Sequence, residues 1–171
     1  RWGEATGLRV KDVDLKTGRL NIEVTVVMVR GNQGLEAPKD YEHRSIPIPA
    51  FLIPHLARQI AGRAPTSPVF YGQRTGTWLR NQVFRVGWFD PAAESIGLSG
   101  LTPHEMRHTA ASLAISSGAN VKAVQRMLGH AKASITLDVY ADLFEEDLDA
   151  VATSLNAAAM QTAVGEFYGR A

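Results

Sequence analysis

The chain has 171 residues, with 18 Lys plus Arg against 17 Asp plus Glu, 45% hydrophobic residues and no Cys, a composition that fits one globular domain able to bury its own core. Without Cys there is no disulfide framework, thiolate metal site or cysteine nucleophile, so an exported, oxidising setting gains no support and an intracellular one is expected. The longest clean apolar runs, such as residues 26–29, are far below the roughly 20 residues of a membrane helix, and no signal-peptide pattern opens the chain.

The net charge of +1 hides an asymmetry. Residues 1–137 hold 17 basic and 10 acidic side chains, a net of +7, whereas residues 138–171 hold one basic and seven acidic, a net of −6. A basic body suits a polyanion, and an acidic tail suits a different surface, such as another protein.

Residues 1–8 read as the end of a helix stopped near Gly7, with no capping residue before it, so the chain is expected to be cut at its start. Residues 19–30 alternate Leu20, Ile22, Val24, Val26 and Met28 with Asn21, Glu23 and Thr25, which predicts one strand with one buried face. A loop at 31–34 then leads through Pro38, Lys39 and Asp40 to a second strand at 44–48, an antiparallel hairpin with a long arm that carries Lys39. Beyond Pro49 the pattern is helical at about 50–62, 78–96, 103–117, 121–128, 133–143 and 145–160, with Pro- and Gly-bearing linkers at 63–68 and 97–100. The expected fold class is mainly α with a small antiparallel β-sheet at one edge (α+β).

Two helix starts can be placed from local chemistry. Thr102, Pro103 and Glu105 form a capping box with Pro at the first helical position. Asn120 caps the next helix, Val121, Val124 and Leu128 form its apolar stripe, and Gly129 stops it, so that His130 projects just past the end. The first start puts His104 and Arg107 on one face of a helix N-terminus, a setting that favours an anion, matches a guanidinium to phosphate oxygens and suits His104 to accept a proton.

Residues 104–108 also spell H-E-x-x-H, the pattern of zinc proteases. The context opposes it: Glu105 is explained by the capping box, residues 109–137 contain no Asp or Glu, and Ala114 stands ten residues past His104. No metal is expected, and His108 is read as a hydrogen-bonding histidine behind the site. The acids Glu145, Glu146, Asp147 and Asp149 suit the dipole of a helix start better than Mg²⁺.

Leu128-Gly129-His130 is followed ten residues later by Tyr140. With R-W-G-E-A-T-G-L at the start, P-K-D before R-S-I-P-I-P, and H-E-M-R-H-T, these segments resemble the tyrosine recombinase (phage integrase) family, in its order and at roughly its spacing. The resemblance implies the family's DNA breaking-rejoining catalytic fold and the roles that follow. Arg1 and Arg107 resemble the two phosphate-binding arginines, with Glu4 one turn from Arg1 as support. Lys39 resembles the lysine that protonates the leaving 5′ oxygen, His104 the base, and His130 the donor to a non-bridging oxygen. Tyr140 resembles the nucleophile. With a reference pKa of about 10, a tyrosine is only about 0.1% ionised at neutral pH, so it needs a base or cationic surroundings to attack phosphorus.

The implied activity is site-specific recombination or integration through a 3′-phosphotyrosyl intermediate, without metal or other cofactor. The implied partners are double-stranded DNA and, for a full-length protein, further copies in a tetramer; the implied location is cytoplasmic, at the nucleoid of a bacterium or its phage. A type IB topoisomerase-like enzyme and an inactive DNA-binding remnant are the alternatives. The expected organisation is one catalytic domain over 1–171 without the family's preceding core-binding domain, hence weak activity and weak, salt-dependent DNA binding. The acidic helix and tail at 145–171 resemble the segment that family members exchange between protomers.

Overall fold

A computed structural model describes residues 1–38, 43–130 and 148–160. Helix α1 (Trp2–Gly7) opens the fold. Its Gly3 packs against a strand so closely that an added Cβ would stand 2.4 Å from Thr25 Oγ1 and 2.6 Å from the Val26 carbonyl oxygen. A side chain there would lever the helix off the strand, and Arg1 with it.

The strand region differs from the single long strand expected. β1 (Val13–Asp14), β2 (Arg19–Ile22) and β5 (Arg44–Pro47) form one antiparallel sheet, with β2 in the middle and Leu20 opposite Ile46. β3 (Thr25–Val29) and β4 (Asn32–Glu36) form a separate hairpin closed by Arg30 and Gly31, both at positive φ, the backbone of a type I′ turn. The expected strand 19–30 is therefore two strands in two sheets, and much of the expected loop 31–34 is strand. The break at Glu23 and Val24 turns the chain out of the first sheet: Ile22 is buried, whereas Met28 is 58% exposed. The expected pairing of the first strand with the segment near 44–48 holds for β2 and β5.

A 3₁₀ turn at Ala50–Leu52 leads into α2 (Ile53–Ile60). α3 (Asn81–Phe84) runs through a π-helical turn at Arg85–Phe89 into α4 (Asp90–Ser95). Pro91 follows the wide turn; having no N–H, it cannot bond the carbonyl four residues back, which favours such a widening. α5 (Pro103–Ser116), α6 (Val121–Leu128) and α7 (Leu148–Met160) complete the described elements. Among the described residues no helix is long and apolar enough to cross a membrane. The helix expected at 133–143 lies outside the described residues.

Two apolar clusters hold the fold. One joins Leu8, Val13, Ile22, Ile48 and Val69, with Leu20, Ile46, Ile53 and Leu56 packed on it; the other joins Ala111, Ile115, Val124 and Leu128 between α5 and α6. Burial of such side chains contributes about 25 cal/mol per Å² of apolar area removed from water. Polar groups from α1, β5, α5 and α6 meet along the seam between the two clusters.

Candidate active site

The α5 start is built as its sequence dictates. Thr102 Oγ1 accepts from the Glu105 N–H at 3.2 Å, and a Glu105 carboxylate oxygen accepts from the Thr102 N–H at 2.7 Å. Glu105 is thereby committed to the cap, not to a general-base role of the H-E-x-x-H kind. That cap fixes the register of His104, Arg107 and His108. His104 Nε2 and His108 Nε2 lie 2.9 Å apart, so one ring donates and the other accepts.

At the end of α6, Gly129 takes the left-handed conformation (φ 65°) that closes the helix. The following His130 is tied on both sides of its peptide: its N–H donates to the Gln125 carbonyl at 3.1 Å, and its carbonyl accepts from Gln125 Nε2 at 2.7 Å. The buried Gln125 thus fixes the histidine's backbone. Sequence reading missed it, although a polar residue on the apolar side of a short amphipathic helix is a signal of such a task.

Three consecutive carbonyls of this helix end each receive an arginine. Met127 accepts from Arg44 Nε at 3.3 Å, Leu128 from Arg107 Nη2, and Gly129 from Arg1 Nη2 at 2.5 Å. The C-terminal carbonyls of a helix lack intrahelical partners and carry its negative dipole end, so three cations from β5, α5 and the start of α1 are electrostatically at home there. Glu4, only 4% exposed, lies beneath: Oε1 accepts from Arg44 at 3.1 Å and from Arg1 at 3.2 Å, and Oε2 accepts from Arg44 at 2.5 Å. Burial pushes the Glu4 carboxyl up. The hydrogen bonds and charge of Arg44 oppose this, and the carboxyl is held below the usual glutamate range.

Arg1, His104, Arg107 and His130 line one cleft of about 880 Å³. Trp2, Phe84 and Trp88 form an aromatic wall on it, with ring centroids 4.9 Å apart for Trp2 and Phe84 and 4.5 Å for Phe84 and Trp88. The wall lowers the dielectric beside the cations, which strengthens any ionic contact made in the cleft. His130 is held below the ordinary imidazole range, first by burial and then by the nearby charges of Arg107, Arg1 and His108. Its surroundings are thus cationic, a setting for an anion with several oxygens.

Of the residues singled out from sequence, Arg1, His104, Arg107 and His130 converge, Glu4 supports Arg1, and His108 touches His104. Lys39, Tyr140 and the acids at 145–147 lie outside the described residues. Arg44, Gln125 and Trp2 were not anticipated as parts of the site.

The sequence pattern of the phage integrase family matches residues 1–147. The tyrosine recombinase XerD of Mycobacterium leprae is 30% identical over 141 residues, covering 80% of this chain and 42% of that protein. The tyrosine recombinase XerA of Pyrococcus horikoshii is 30% identical over 133 residues, 76% of this chain and 44% of that protein. Among solved structures, the Tn1549 transposon integrase in complex with a circular intermediate DNA superimposes with a TM-score of 0.69 at 25% identity, over 82% of this chain and 49% of that one. The chain thus spans less than half the length of each of these relatives. The fold is that of a tyrosine recombinase catalytic domain, mixed α and β as the sequence led one to expect, and the chain belongs to the phage integrase family.

Proposed function

We propose that this chain is the catalytic domain of a site-specific DNA recombinase that cuts and rejoins duplex DNA through a 3′-phosphotyrosyl link. The observation that carries the reading is the convergence of residues 1, 104, 107 and 130, distant in sequence, on one cationic cleft. In this reading a backbone phosphate of DNA sits among Arg1, Arg107 and His130. Tyr140 Oη attacks the phosphorus and the bond from phosphorus to the 5′ oxygen breaks. The tyrosine proton passes to His104, and Lys39 protonates the departing 5′ oxygen. Attack of a 5′-hydroxyl on the phosphotyrosine reverses these transfers and reseals a strand, with no net loss of phosphodiester bonds.

The arginines and His130 stabilise the extra charge of the pentacoordinate state. By analogy with oxyanion donors, losing one costs on the order of 10²- to 10³-fold in rate. The named relatives support DNA as the substrate: one is a transposon integrase solved with a circular intermediate DNA. The chain as a single catalytic unit, a tetramer on DNA, exchange of residues 145–171 between protomers and a place at the nucleoid belong to the same proposal.

The test is incubation of the protein with a pool of nicked duplexes of randomised sequence, followed by denaturing electrophoresis. A covalent protein–DNA adduct that disappears in Tyr140→Phe is expected. An adduct that persists in that variant, or no adduct with any duplex, would overturn the reading.

A further inference from the structure

Arg44 has no part in the chemistry just described, yet it ties together Glu4 and the helix end before His130. It projects from β5, whose Ile46 packs on the first apolar cluster, and its side chain is only 13% exposed. Its guanidinium contacts both oxygens of Glu4, the carboxylate that also holds Arg1, at 3.1 and 2.5 Å. Through Nε it binds the Met127 carbonyl, next to the carbonyls that hold Arg107 and Arg1. The third contact is steric: a Cβ on Gly129 would stand 2.8 Å from Arg44 Cζ. Gly129 therefore has two reasons to be glycine, and one of them is Arg44.

We propose that Arg44 is a positioning residue, which fixes the helix end bearing His130 and, through Glu4, the guanidinium of Arg1 in one geometry. The inference rests on the proposed reaction for its catalytic consequence but not for its structural one. Arg44 is set back behind Glu4 and Gly129, and it is the planar fork, not charge alone, that spans a carboxylate and a backbone carbonyl together. A lysine could satisfy one of these partners but not the whole set. Displacement of a reacting group by about 1 Å can cost about 10²-fold in rate.

The test compares the wild-type chain with Arg44→Met and Arg44→Lys, each first checked for a cooperative thermal transition; if the methionine variant does not fold, the lysine variant decides. The first readout is the titration of His130 followed by NMR, which a purely scaffold role would leave in place. Release of the turn would move His130 away from Arg1 and Arg107, so its pKa should rise toward the ordinary value of 6.5 in both variants. The second readout is adduct formation with the nicked-duplex pool: the rate at saturating DNA should fall about 10²-fold, with DNA affinity little changed. An unmoved His130 titration in folded variants overturns the proposal, as does an unchanged adduct rate when the wild type forms adduct. A wild-type chain that forms no adduct while His130 responds to the variants would remove the proposed reaction and leave the anchor standing.

Discussion

Replacing Gly129 by Ala separates two costs that usually travel together. The residue adopts φ 65°, and Gly118, just past the end of α5, adopts φ 82° with nothing within 4 Å of its would-be Cβ. Both substitutions incur the left-handed backbone penalty of about 1–2 kcal/mol. Only at Gly129 does the new methyl meet the Arg44 guanidinium, at 2.8 Å from Cζ. An exposed arginine would swing away at little cost. This one is 13% exposed and bonded to a carboxylate that is 4% exposed, and removing one partner of a buried ion pair costs about 3–5 kcal/mol. Displacement weakens the pair without abolishing it, so about 2 kcal/mol is a reasonable excess for Gly129→Ala over Gly118→Ala. At about 2–4 °C per kcal/mol for a domain of this size, that excess corresponds to a Tm about 4–8 °C lower. Differential scanning calorimetry of the two variants beside wild type measures it. Equal Tm losses would show that Arg44 yields freely and would refute the reasoning from close contact.

Two further outcomes follow from the same network. Glu4→Gln keeps the shape but leaves Arg44 and Arg1 without their shared anion, so denaturant unfolding at neutral pH should show a loss of about 3 kcal/mol. The Glu4 pKa is depressed in the folded state, so its contribution is complete above the ordinary value of 4.5 and is lost as pH falls through the lower folded value. The gap between wild type and Glu4→Gln should therefore close on acidification, and a gap independent of pH would contradict the assignment. Inorganic phosphate should raise the His130 pKa, because an anion between Arg1 and Arg107 cancels part of the repulsion that lowers it. Arg107→Gln should raise it without phosphate, and NMR titration that finds neither change would place His130 outside the anion site.

What the sequence made legible was local. The Thr102 and Asn120 caps and the Gly129 stop depend on contacts within a few residues, and all three form as read. The strand region defeated the same reasoning because alternation from Leu20 to Met28 has the same period whether it belongs to one strand or two. The turn that distinguishes them uses Arg30 at φ 50°, not the Asn or Asp usual at the first position of such turns. His104 and Arg107 were legible as neighbours through the Thr102 cap and His130 through the Gly129 stop, whereas Arg1 entered only through its order in the family pattern.

The framework of the site was illegible for a different reason. Arg44 reaches Glu4 across 40 residues and Met127 across 83, and each of the three arginines holds a main-chain carbonyl. A carbonyl oxygen is present at every residue, so the row at Met127, Leu128 and Gly129 leaves no trace in residue type apart from the glycine. The composition shows a surplus of arginines without showing that three share one helix end. That sharing has a functional consequence. Electrostatic stabilisation of a transition state is most effective when the donors need no reorganisation as charge develops. In the proposed reaction, guanidiniums already fixed to backbone oxygens and to a buried carboxylate have given up their rotamer freedom on folding, so part of the cost of ordering them around the transition state is met before the reaction begins. The buried Glu4–Arg44 pair is then best understood through the geometry it imposes on Arg1 and on the turn before His130, since replacing such a pair by apolar residues is often neutral or favourable for stability alone.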